Sequence, residues 1–159
     1  MNIKPYQHIA KYYETDQMGI IHHSNYIRWF EEARIDLMNQ IGLTYKTMEE
    51  KGIISPVLEI DCKYLNMMYF DDIATIHVSF DKYSSVRFTC SYEIYNQDGI
   101  LCTTGTSKHC FINKDGKPIN LKKSYPEFDQ VFKKFVKKNY KYSYIKQKQL
   151  ESFVIYKLF

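Results

Sequence analysis

Arginine is scarce in this sequence of 159 residues and occurs only at Arg28, Arg34 and Arg87. Because arginine is the residue most often used for bidentate contacts with bases and phosphates, its scarcity argues against specific nucleic-acid recognition. The net charge of +4 comes from the C-terminal part, where residues 122–159 contain ten lysines and only three carboxylates. Residues 1–121 are acidic overall, so the basic character belongs to the tail.

Metal-type cysteine spacings and long apolar runs are also missing. The four cysteines form no CxxC pair, and each lies in a segment that alternates apolar and polar residues, so we interpret them as reduced thiols of the core. No run reaches the ~18 apolar residues of a membrane-spanning helix, and the N-terminus has no signal-peptide stretch. We therefore expect a cytoplasmic protein without a membrane span or a metal site.

The chain has no internal repeat, no glycine-rich phosphate loop and no serine-centred nucleophile elbow. It does contain enough apolar material for one domain, since 45% of its residues are hydrophobic and 15 tyrosines and 10 phenylalanines contribute large side chains. We assign residues 1–137 to this domain. Residues 138–159 form a lysine- and tyrosine-rich C-terminal extension without a clear period.

One long helix is predicted after a polar loop at residues 14–24. Apolar side chains recur with the helical period and cover about half of the circumference; they are Ile27, Trp29, Phe30, Ala33, Leu37, Met38 and Ile41. Such a broad apolar face is expected when a sheet curls around the helix. Ser24 or Asn25 is predicted to cap the start of the helix, and Gly42 is predicted to end it. Arg34 lies inside the apolar face, where we expect it to pair with an acidic group.

The rest of the pattern predicts strands. A first strand is expected before the helix, over residues 7–13. Three segments after the helix alternate apolar and polar residues with a period of two, at residues 58–64, 74–80 and 86–94, and a fourth strand is expected over residues 100–112 between two turns. The short turns between the last strands make them antiparallel neighbours, and we expect all four to form a meander. With a terminal helix over residues 125–137, the sequence predicts an α+β fold in which one antiparallel sheet wraps around one long central helix.

The chemistry is expected in the loop Tyr13–Tyr26, which leads into the long helix. This loop combines a carboxylate, Asp16, with Gly19 and the histidines His22 and His23. Unpaired N–H groups and the positive end of the helix dipole make a helix start a favourable place for a developing oxyanion. Asp16 beside it could act as base or nucleophile. From the residues alone, an aspartate and a histidine in a polar loop are more often capping or solvated groups than catalytic ones, and His22 could simply lie on the surface.

A resemblance to a known family sharpens this interpretation. The pattern Y-x-E-T-D-Q-M-G-x-x-x-H-x-N-Y-x-x-W-F-E-E-A-R, from Tyr12 to Arg34, closely resembles the opening of hotdog-fold acyl-CoA thioesterases of the 4-hydroxybenzoyl-CoA thioesterase type. The strand pattern through Ile112 fits the same family, so the resemblance covers roughly two thirds of the chain. It implies a hotdog fold, a coenzyme A thioester as substrate, no metal or redox cofactor, and a homodimer or homotetramer of paired hotdogs.

The resemblance also implies roles for individual residues. The catalytic carboxylate of the family falls on Asp16, and the position whose backbone N–H polarises the thioester carbonyl falls on His23. Gly19 matches a glycine that allows close backbone approach in the substrate site. Asn25 and Tyr26 match the residues that open the helix beside the substrate.

Three further features are candidates for substrate contact. Tyr13 resembles an active-site tyrosine of one subgroup, although that subgroup has one more residue between tyrosine and aspartate. Arg87, on the polar face of a strand, is either solvated or a contact for a coenzyme A phosphate. The segment Leu65–Phe70 either packs on its own core or forms an acyl-tunnel wall beside Asp16 of a neighbouring chain.

The resemblance implies hydrolysis of an acyl-CoA to the free acid and coenzyme A. Asp16 would either attack the carbonyl carbon to form a mixed anhydride or activate a water molecule. The sequence does not distinguish the acyl group, nor a coenzyme A thioester from one on acyl carrier protein. A dehydratase or hydratase of acyl thioesters is one alternative, although the usual motif of such enzymes is absent. A noncatalytic acyl-CoA-binding module, with the lysine-rich tail as an arm for a partner, is the other.

Overall fold

The computed structural model describes residues 3–136, which form one five-stranded antiparallel sheet and four helices. The strands are β1 (Tyr6–Ile9), β2 (Val57–Tyr64), β3 (Ile73–Ser84), β4 (Arg87–Tyr95) and β5 (Leu101–Cys110). The helices are α1 (His23–Gln40), α2 (Tyr45–Glu50), α3 (Leu121–Ser124) and α4 (126–136), and Tyr12–Glu14 forms a 3-10 turn. The predicted α+β fold, a sheet with one long helix, is confirmed. The extension at residues 138–159 lies outside the described residues.

The sheet order is β1-β3-β4-β5-β2, with antiparallel pairing throughout. The hairpins that join β3 to β4 and β4 to β5 are confirmed, but the prediction that β2 begins the meander is wrong. β2 pairs with β5 at the far edge instead of with β3. Residues 65–72 connect β2 to β3, and this segment is long enough to cross the three strand spacings of about 4.8 Å that separate them.

Helix α1 packs against one face of the sheet and makes the core. Its buried side chains include Trp29, Phe30 and Leu37, which meet the inward side chains of β3 and β4. These two strands alternate buried and more accessible residues as predicted, with Ile76 on β3 and Tyr92 on β4 pointing inward. The apolar residues that recur with the helical period in α1 therefore pack against those that alternate in β3 and β4.

The first strand and the helix start differ from the prediction. β1 ends at Ile9 because the chain turns at Tyr12–Glu14, where the Glu14 carboxylate accepts the Lys11 N–H at 2.7 Å. Neither Ser24 nor Asn25 caps α1. The cap is His22, whose Nδ1 accepts the Ser24 N–H at 3.3 Å. The helix ends before Gly42, which has φ +81° as its predicted stop requires.

β2 was expected to be half-buried, and this expectation is wrong. Every residue of the strand is exposed except Cys62, which is half-buried. The exposed apolar side chains are those of Val57, Leu58, Ile60 and Tyr64. Because β2 is an edge strand and α1 covers the middle of the sheet, residues 3–136 leave most of its apolar face uncovered.

Arg34 is buried, as its place on the apolar face of α1 requires, but the predicted acidic partner is absent from the described residues. Its Nε donates to the Tyr45 hydroxyl at 3.1 Å, and its Nη1 lies 3.4 Å from Nε2 of His109. The guanidinium also lies over the ring of Tyr45, with 6.0 Å to the centroid. Neutral acceptors and an aromatic face thus take the place of a carboxylate.

All four cysteines are free thiols, which confirms that part of the prediction. Cys90 and Cys102 are buried, whereas Cys62 and Cys110 are only half-buried and do not belong to the core. Burial raises the pKa of the Cys90 thiol to about 12. Among residues 3–136, no helix is long and apolar enough to cross a membrane.

Candidate active site

The loop that carries Asp16 is a short hairpin. Thr15 and Ile21 form an antiparallel bridge, and the Asp16 N–H donates to the Ile20 carbonyl at 2.9 Å. The Gly19 N–H donates to the Asp16 carbonyl at 3.0 Å, and Gly19 has φ +76°. Glycine takes this left-handed conformation without strain, and a Cβ at Gly19 would meet no atom within 4 Å. Within one chain, the left-handed conformation of the turn therefore explains this glycine, and close packing does not.

The Asp16 side chain is half-buried at the tip of this hairpin. Its Oδ1 accepts the Met18 N–H at 2.8 Å, which closes an Asx turn and holds the carboxyl group in one orientation. Among the described residues, no other hydrogen bond reaches this carboxylate. One oxygen thus anchors the side chain, and the other is open for chemistry.

The hairpin leads directly into the N-terminus of α1. His23 is the first helical residue, and its N–H has no hydrogen-bond partner among residues 3–136. Its ring is exposed and contacts the ring of His22, with 4.0 Å between centroids and 35° between the ring planes. The Tyr64 hydroxyl donates to the His23 carbonyl at 3.0 Å, which joins the end of β2 to the helix start. An open N–H at the positive end of an 18-residue helix can bind an anionic oxygen.

Sequence reasoning missed Glu14, the residue that ties this loop to the fold. Its carboxylate is buried and accepts three hydrogen bonds, from the Lys11 N–H, from His8 Nε2 and from the Trp29 indole. Its carbonyl accepts two more, from the His22 N–H and the Asn25 amide. A buried tryptophan N–H usually needs an acceptor, and this was the available signal.

Asn25 and Tyr26 lie beneath the loop rather than on its surface. Asn25 is buried, and its amide donates to the Glu14 carbonyl at 2.7 Å. The buried ring of Tyr26 contacts Trp29 and Tyr64, and burial raises the pKa of its hydroxyl. Both contacts hold the start of α1 in place.

Tyr13 and Arg87 occupy very different places. Tyr13 is in the 3-10 turn before Asp16, with 81% of its surface exposed. Arg87 begins β4 and pairs with Ser84 and Cys110. The Asp16 loop adjoins the opposite end of the sheet, because Ile9 pairs with Ile73. Eight residues of strand at about 3.3 Å each separate the two ends of β4, so one chain does not bring Arg87 to Asp16.

The segment Leu65–Phe70 lies against the Asp16 loop of its own chain. Tyr69 bridges Ile20, and the Ile21 N–H donates to the Met68 carbonyl at 2.8 Å. The alternative, in which the segment also reaches Asp16 of a neighbouring chain, stays a prediction. Four of its side chains are exposed next to the loop: Leu65, Met67, Tyr69 and Phe70. Phe70 also meets the ring of Tyr12 edge-on, with 5.7 Å between centroids, and Met18 in the hairpin is exposed as well.

Residues 3–136 contain no group of three or more histidine, cysteine, aspartate or glutamate side chains arranged to hold a metal ion. The acidic and histidine side chains nearest the loop bind one another. His8 Nε2 lies 2.9 Å from Glu14, and His8 Nδ1 lies 3.5 Å from Glu32. The Tyr6 hydroxyl donates to the same Glu32 carboxylate at 2.9 Å.

Comparison with known proteins gives concordant matches. The family model described as the thioesterase-like superfamily matches residues 11–139. YneP of Bacillus subtilis, provisionally named an acyl-CoA thioesterase, is 36% identical over 79% of this chain and 91% of its own. The 1,4-dihydroxy-2-naphthoyl-CoA hydrolase of Thermosynechococcus vestitus is 24% identical over 67% of this chain and 74% of its own. Among solved structures, a DHNA-CoA thioesterase from Staphylococcus aureus superposes with a TM-score of 0.83 at 36% identity, covering 87% of this chain and 93% of that one.

Proposed function

Because the chain belongs to the thioesterase-like superfamily, we propose that it is an acyl-CoA thioesterase whose reacting carboxylate is Asp16. It is a thioester hydrolase, which converts an acyl thioester and water into a free acid and a thiol. The residue pattern from Tyr12 to Arg34 supports a place among the 4-hydroxybenzoyl-CoA thioesterase-like proteins within the superfamily.

The observation that carries this proposal is the position of Asp16 relative to α1. The carboxylate stands at the tip of a hairpin whose second strand runs into the helix start, so an acidic group and an open N–H belong to one short segment. We propose that a thioester carbonyl bound at the His23 N–H comes within reach of the Asp16 carboxylate, which the Met18 N–H orients. Such an arrangement suits attack on a carbonyl carbon.

Two chemical routes use these groups. In the first, an Asp16 oxygen attacks the thioester carbon, the tetrahedral intermediate expels the coenzyme A thiolate, and water hydrolyses the resulting mixed anhydride. In the second, Asp16 takes a proton from water as the water oxygen attacks, and this proton then passes to the departing sulfur. Both routes give the same products, and Asp16 is essential to each.

The His23 N–H supplies the oxyanion site in both routes. Negative charge develops on the carbonyl oxygen as the tetrahedral intermediate forms, and a fixed backbone donor at a helix N-terminus stabilises it. Loss of one such donor typically costs about 3 kcal/mol of transition-state stabilisation. The exposed His23 ring is free to contact substrate or water.

The acyl group is proposed to rest on the apolar surface beside Asp16, formed by Met18 and the exposed side chains of Leu65–Phe70. Aromatic and sulfur-containing side chains suit a planar aromatic acyl group. Relatives named for 1,4-dihydroxy-2-naphthoyl-CoA support the inclusion of such thioesters in the first assays. Tyr13 and Gly19 lie along the same loop and are proposed to line the path of the substrate.

We propose a homodimer, or a homotetramer of such dimers, that forms through β2. Among residues 3–136 this edge strand pairs only with β5, and it exposes Leu58, Ile60 and Tyr64. Pairing two β2 edges would satisfy the backbone groups and cover the side chains. It would also bring a second chain close to the Tyr64 hydroxyl, which contacts the His23 carbonyl. Arg87 of either chain is then a candidate for contact with the coenzyme A phosphates.

The free cysteines support a cytoplasmic location, because reducing compartments keep thiols unpaired. The carrier is proposed to be coenzyme A, with acyl carrier protein as the alternative. Assays with both carriers decide between them. Binding of acyl-CoA without release of thiol would instead support a noncatalytic binding module.

The test is thiol release from a panel of aromatic, short aliphatic and long aliphatic acyl-CoAs, with the unaltered protein and with Asp16→Asn. The asparagine keeps the oxygen that accepts the Met18 N–H, so the hairpin is expected to persist while the charge is lost. Turnover should fall at least about 100-fold. Asp115→Asn, in an exposed turn at the other end of the sheet, is the matched control and should retain full turnover. Normal turnover by Asp16→Asn would remove Asp16 from the reaction.

A further inference from the structure

We propose that Glu14 is a positioning residue for the thioesterase site, holding Asp16 and the start of α1 in one fixed relation. This inference rests on the proposed function. Glu14 lies two residues before Asp16, faces away from solvent with 5% exposure, and contacts three separate parts of the fold. It has no place for direct contact with substrate, so its influence must pass through the groups it holds.

The carboxylate fastens the first half of the hairpin to the body of the protein. Oε2 accepts the Lys11 N–H at 2.7 Å and lies 2.9 Å from His8 Nε2, which joins the loop to β1. Oε1 accepts the Trp29 indole N–H at 2.8 Å, which joins it to the second turn of α1. The residue that precedes Thr15 and Asp16 is thereby immobilised on two sides.

The backbone carbonyl of Glu14 fastens the second half of the hairpin. It accepts the His22 N–H at 2.8 Å and the Asn25 amide at 2.7 Å. His22 is the cap of α1 and directly precedes His23, whose N–H is the proposed oxyanion donor. One residue therefore fixes both the strand that carries Asp16 and the helix start that it must face. A displacement of about 1 Å between such groups can cost about 100-fold in rate.

The negative charge of Glu14 is suited to this task. Burial raises the pKa of the carboxyl group, but the hydrogen bonds from Lys11, His8 and Trp29 outweigh it and leave the pKa below its ordinary value. An ionised carboxylate has two strong acceptor oxygens and no donor, which suits the Lys11 N–H on one oxygen and the indole N–H on the other. His8 faces Glu14 with one nitrogen and Glu32 with the other, so its ring is held between two carboxylates and packs on Trp29.

Glutamine at this position isolates the role of the second oxygen. It has nearly the shape of glutamate, but its amide NH2 must replace one acceptor. In one orientation the NH2 faces the indole N–H of Trp29, and in the other it faces the Lys11 N–H. Each orientation sets two donors against each other, so Glu14→Gln should shift the hairpin without removing a side chain.

The experiment compares Glu14→Gln with Asp129→Asn. Asp129 is an equally buried carboxylate, 3% exposed, and it also accepts three hydrogen bonds, from Tyr83, Ser85 and Lys133. It lies in α4 and contacts Tyr83 near the end of β3 that is remote from the Asp16 loop. We expect both variants to lose thermal stability, but only Glu14→Gln to lose turnover, by 10-fold or more in kcat at an unchanged KM.

A second measurement follows the contact itself. Trp29 is the single tryptophan of the chain, so its indole N–H gives one resolved signal in a ¹⁵N-correlated NMR spectrum. Glu14→Gln should shift this signal, and Asp129→Asn should leave it in place. The double variant Glu14→Gln with Trp29→Phe removes the donor that opposes the amide, and it should recover several-fold in kcat relative to Glu14→Gln alone.

Several results would overturn the inference. These are a Glu14→Gln protein with a shifted indole signal and normal kcat, an equal loss of kcat in Asp129→Asn, or a double variant no more active than Glu14→Gln. If Glu14→Gln does not fold, Trp29→Phe alone should lower kcat about threefold at constant KM, and an unchanged kcat would count against the proposal. Failure of the unaltered protein to hydrolyse any acyl thioester would overturn the proposed function and the catalytic part of this inference together. A shifted indole signal would still establish the Glu14 contact.

Discussion

The ring of Phe30 fills the space that a side chain at Gly105 would need. A Cβ added to Gly105 would overlap with Cε2 of Phe30 and would lie 2.6 Å from the Asp61 carbonyl oxygen on the neighbouring strand. The same ring stacks on Tyr92 with 4.3 Å between centroids. The missing side chain in β5 therefore lets α1 approach the middle of the sheet.

Gly105→Ala should destabilise the protein by about 3 kcal/mol, because neither the strand backbone nor the stacked rings can retreat freely. Urea unfolding measures this change. Thr106→Ala, at the next position of β5 but directed away from the helix, is the matched control and should cost less than about 1 kcal/mol. Equal effects of the two substitutions would show that the ring of Phe30 is not constrained by residue 105.

The second prediction separates the backbone of His23 from its ring. His23→Ala should retain an appreciable fraction of turnover, whereas His23→Pro should be nearly inactive, because proline lacks the N–H donor. His23→Pro should leave the helix intact, since His23 is the first residue of α1 and proline is favoured at that position. Circular dichroism should find equal helix content in both variants. A folded but inactive alanine variant would assign the role to the imidazole.

The third prediction concerns assembly through β2. Light scattering should give two or four times the chain mass of 19.1 kDa. Ile60→Lys, which places a charge on the exposed edge strand, should lower both the mass and the turnover. Ile100→Lys, at an exposed apolar position in the turn between β4 and β5, should leave the mass unchanged. A 19.1 kDa monomer with full turnover at assay concentration would rule out a site shared between chains.

The fourth prediction is a loss of stability between pH 7 and 5 that depends on His109. Burial, together with the nearby Arg34 guanidinium, lowers the pKa of His109 to about 3. In the unfolded chain the imidazole titrates near its ordinary value of about 6.5. The free energy of unfolding is therefore unaffected by His109 above that pH, and it decreases as the pH falls toward 3, because the unfolded chain then binds a proton that the folded one does not. This predicts a loss of about 2 kcal/mol at pH 5.

His109→Gln provides the comparison for this pH effect. The glutamine variant is expected to be less stable at pH 7 because the contacts to Ser107 and Arg34 change. Its stability should nevertheless vary less between pH 7 and 5, because glutamine does not titrate. Glu14 and Asp129 also have lowered pKa values, but they act at lower pH, where carboxyl groups titrate. Parallel pH profiles of the two proteins would contradict the assignment to His109.

Several features of the site could not be predicted from the sequence. The capping role of His22 depends on its backbone conformation, and the contacts of Glu14 depend on the packing of Trp29 over β1. The inward face of β5 carries Ser107 and His109, which are polar and therefore give no alternating signal. The strand position of Arg87 was predicted correctly, but its distance from Asp16 was not, because that distance depends on which ends of the strands lie side by side in the sheet.

Local residue patterns were enough to predict the α+β class, the long helix and its end at Gly42, the strands β3 and β4, and the loop that holds Asp16. These features depend on periods and turn residues that act over a few neighbouring positions. Packing between distant segments places β2 at the edge of the sheet beside β5. It also gives Arg34 Tyr45 and a histidine 75 residues away as partners instead of a carboxylate. A period tells which side chains share a face, but strand neighbours and polar partners depend on how distant segments pack together.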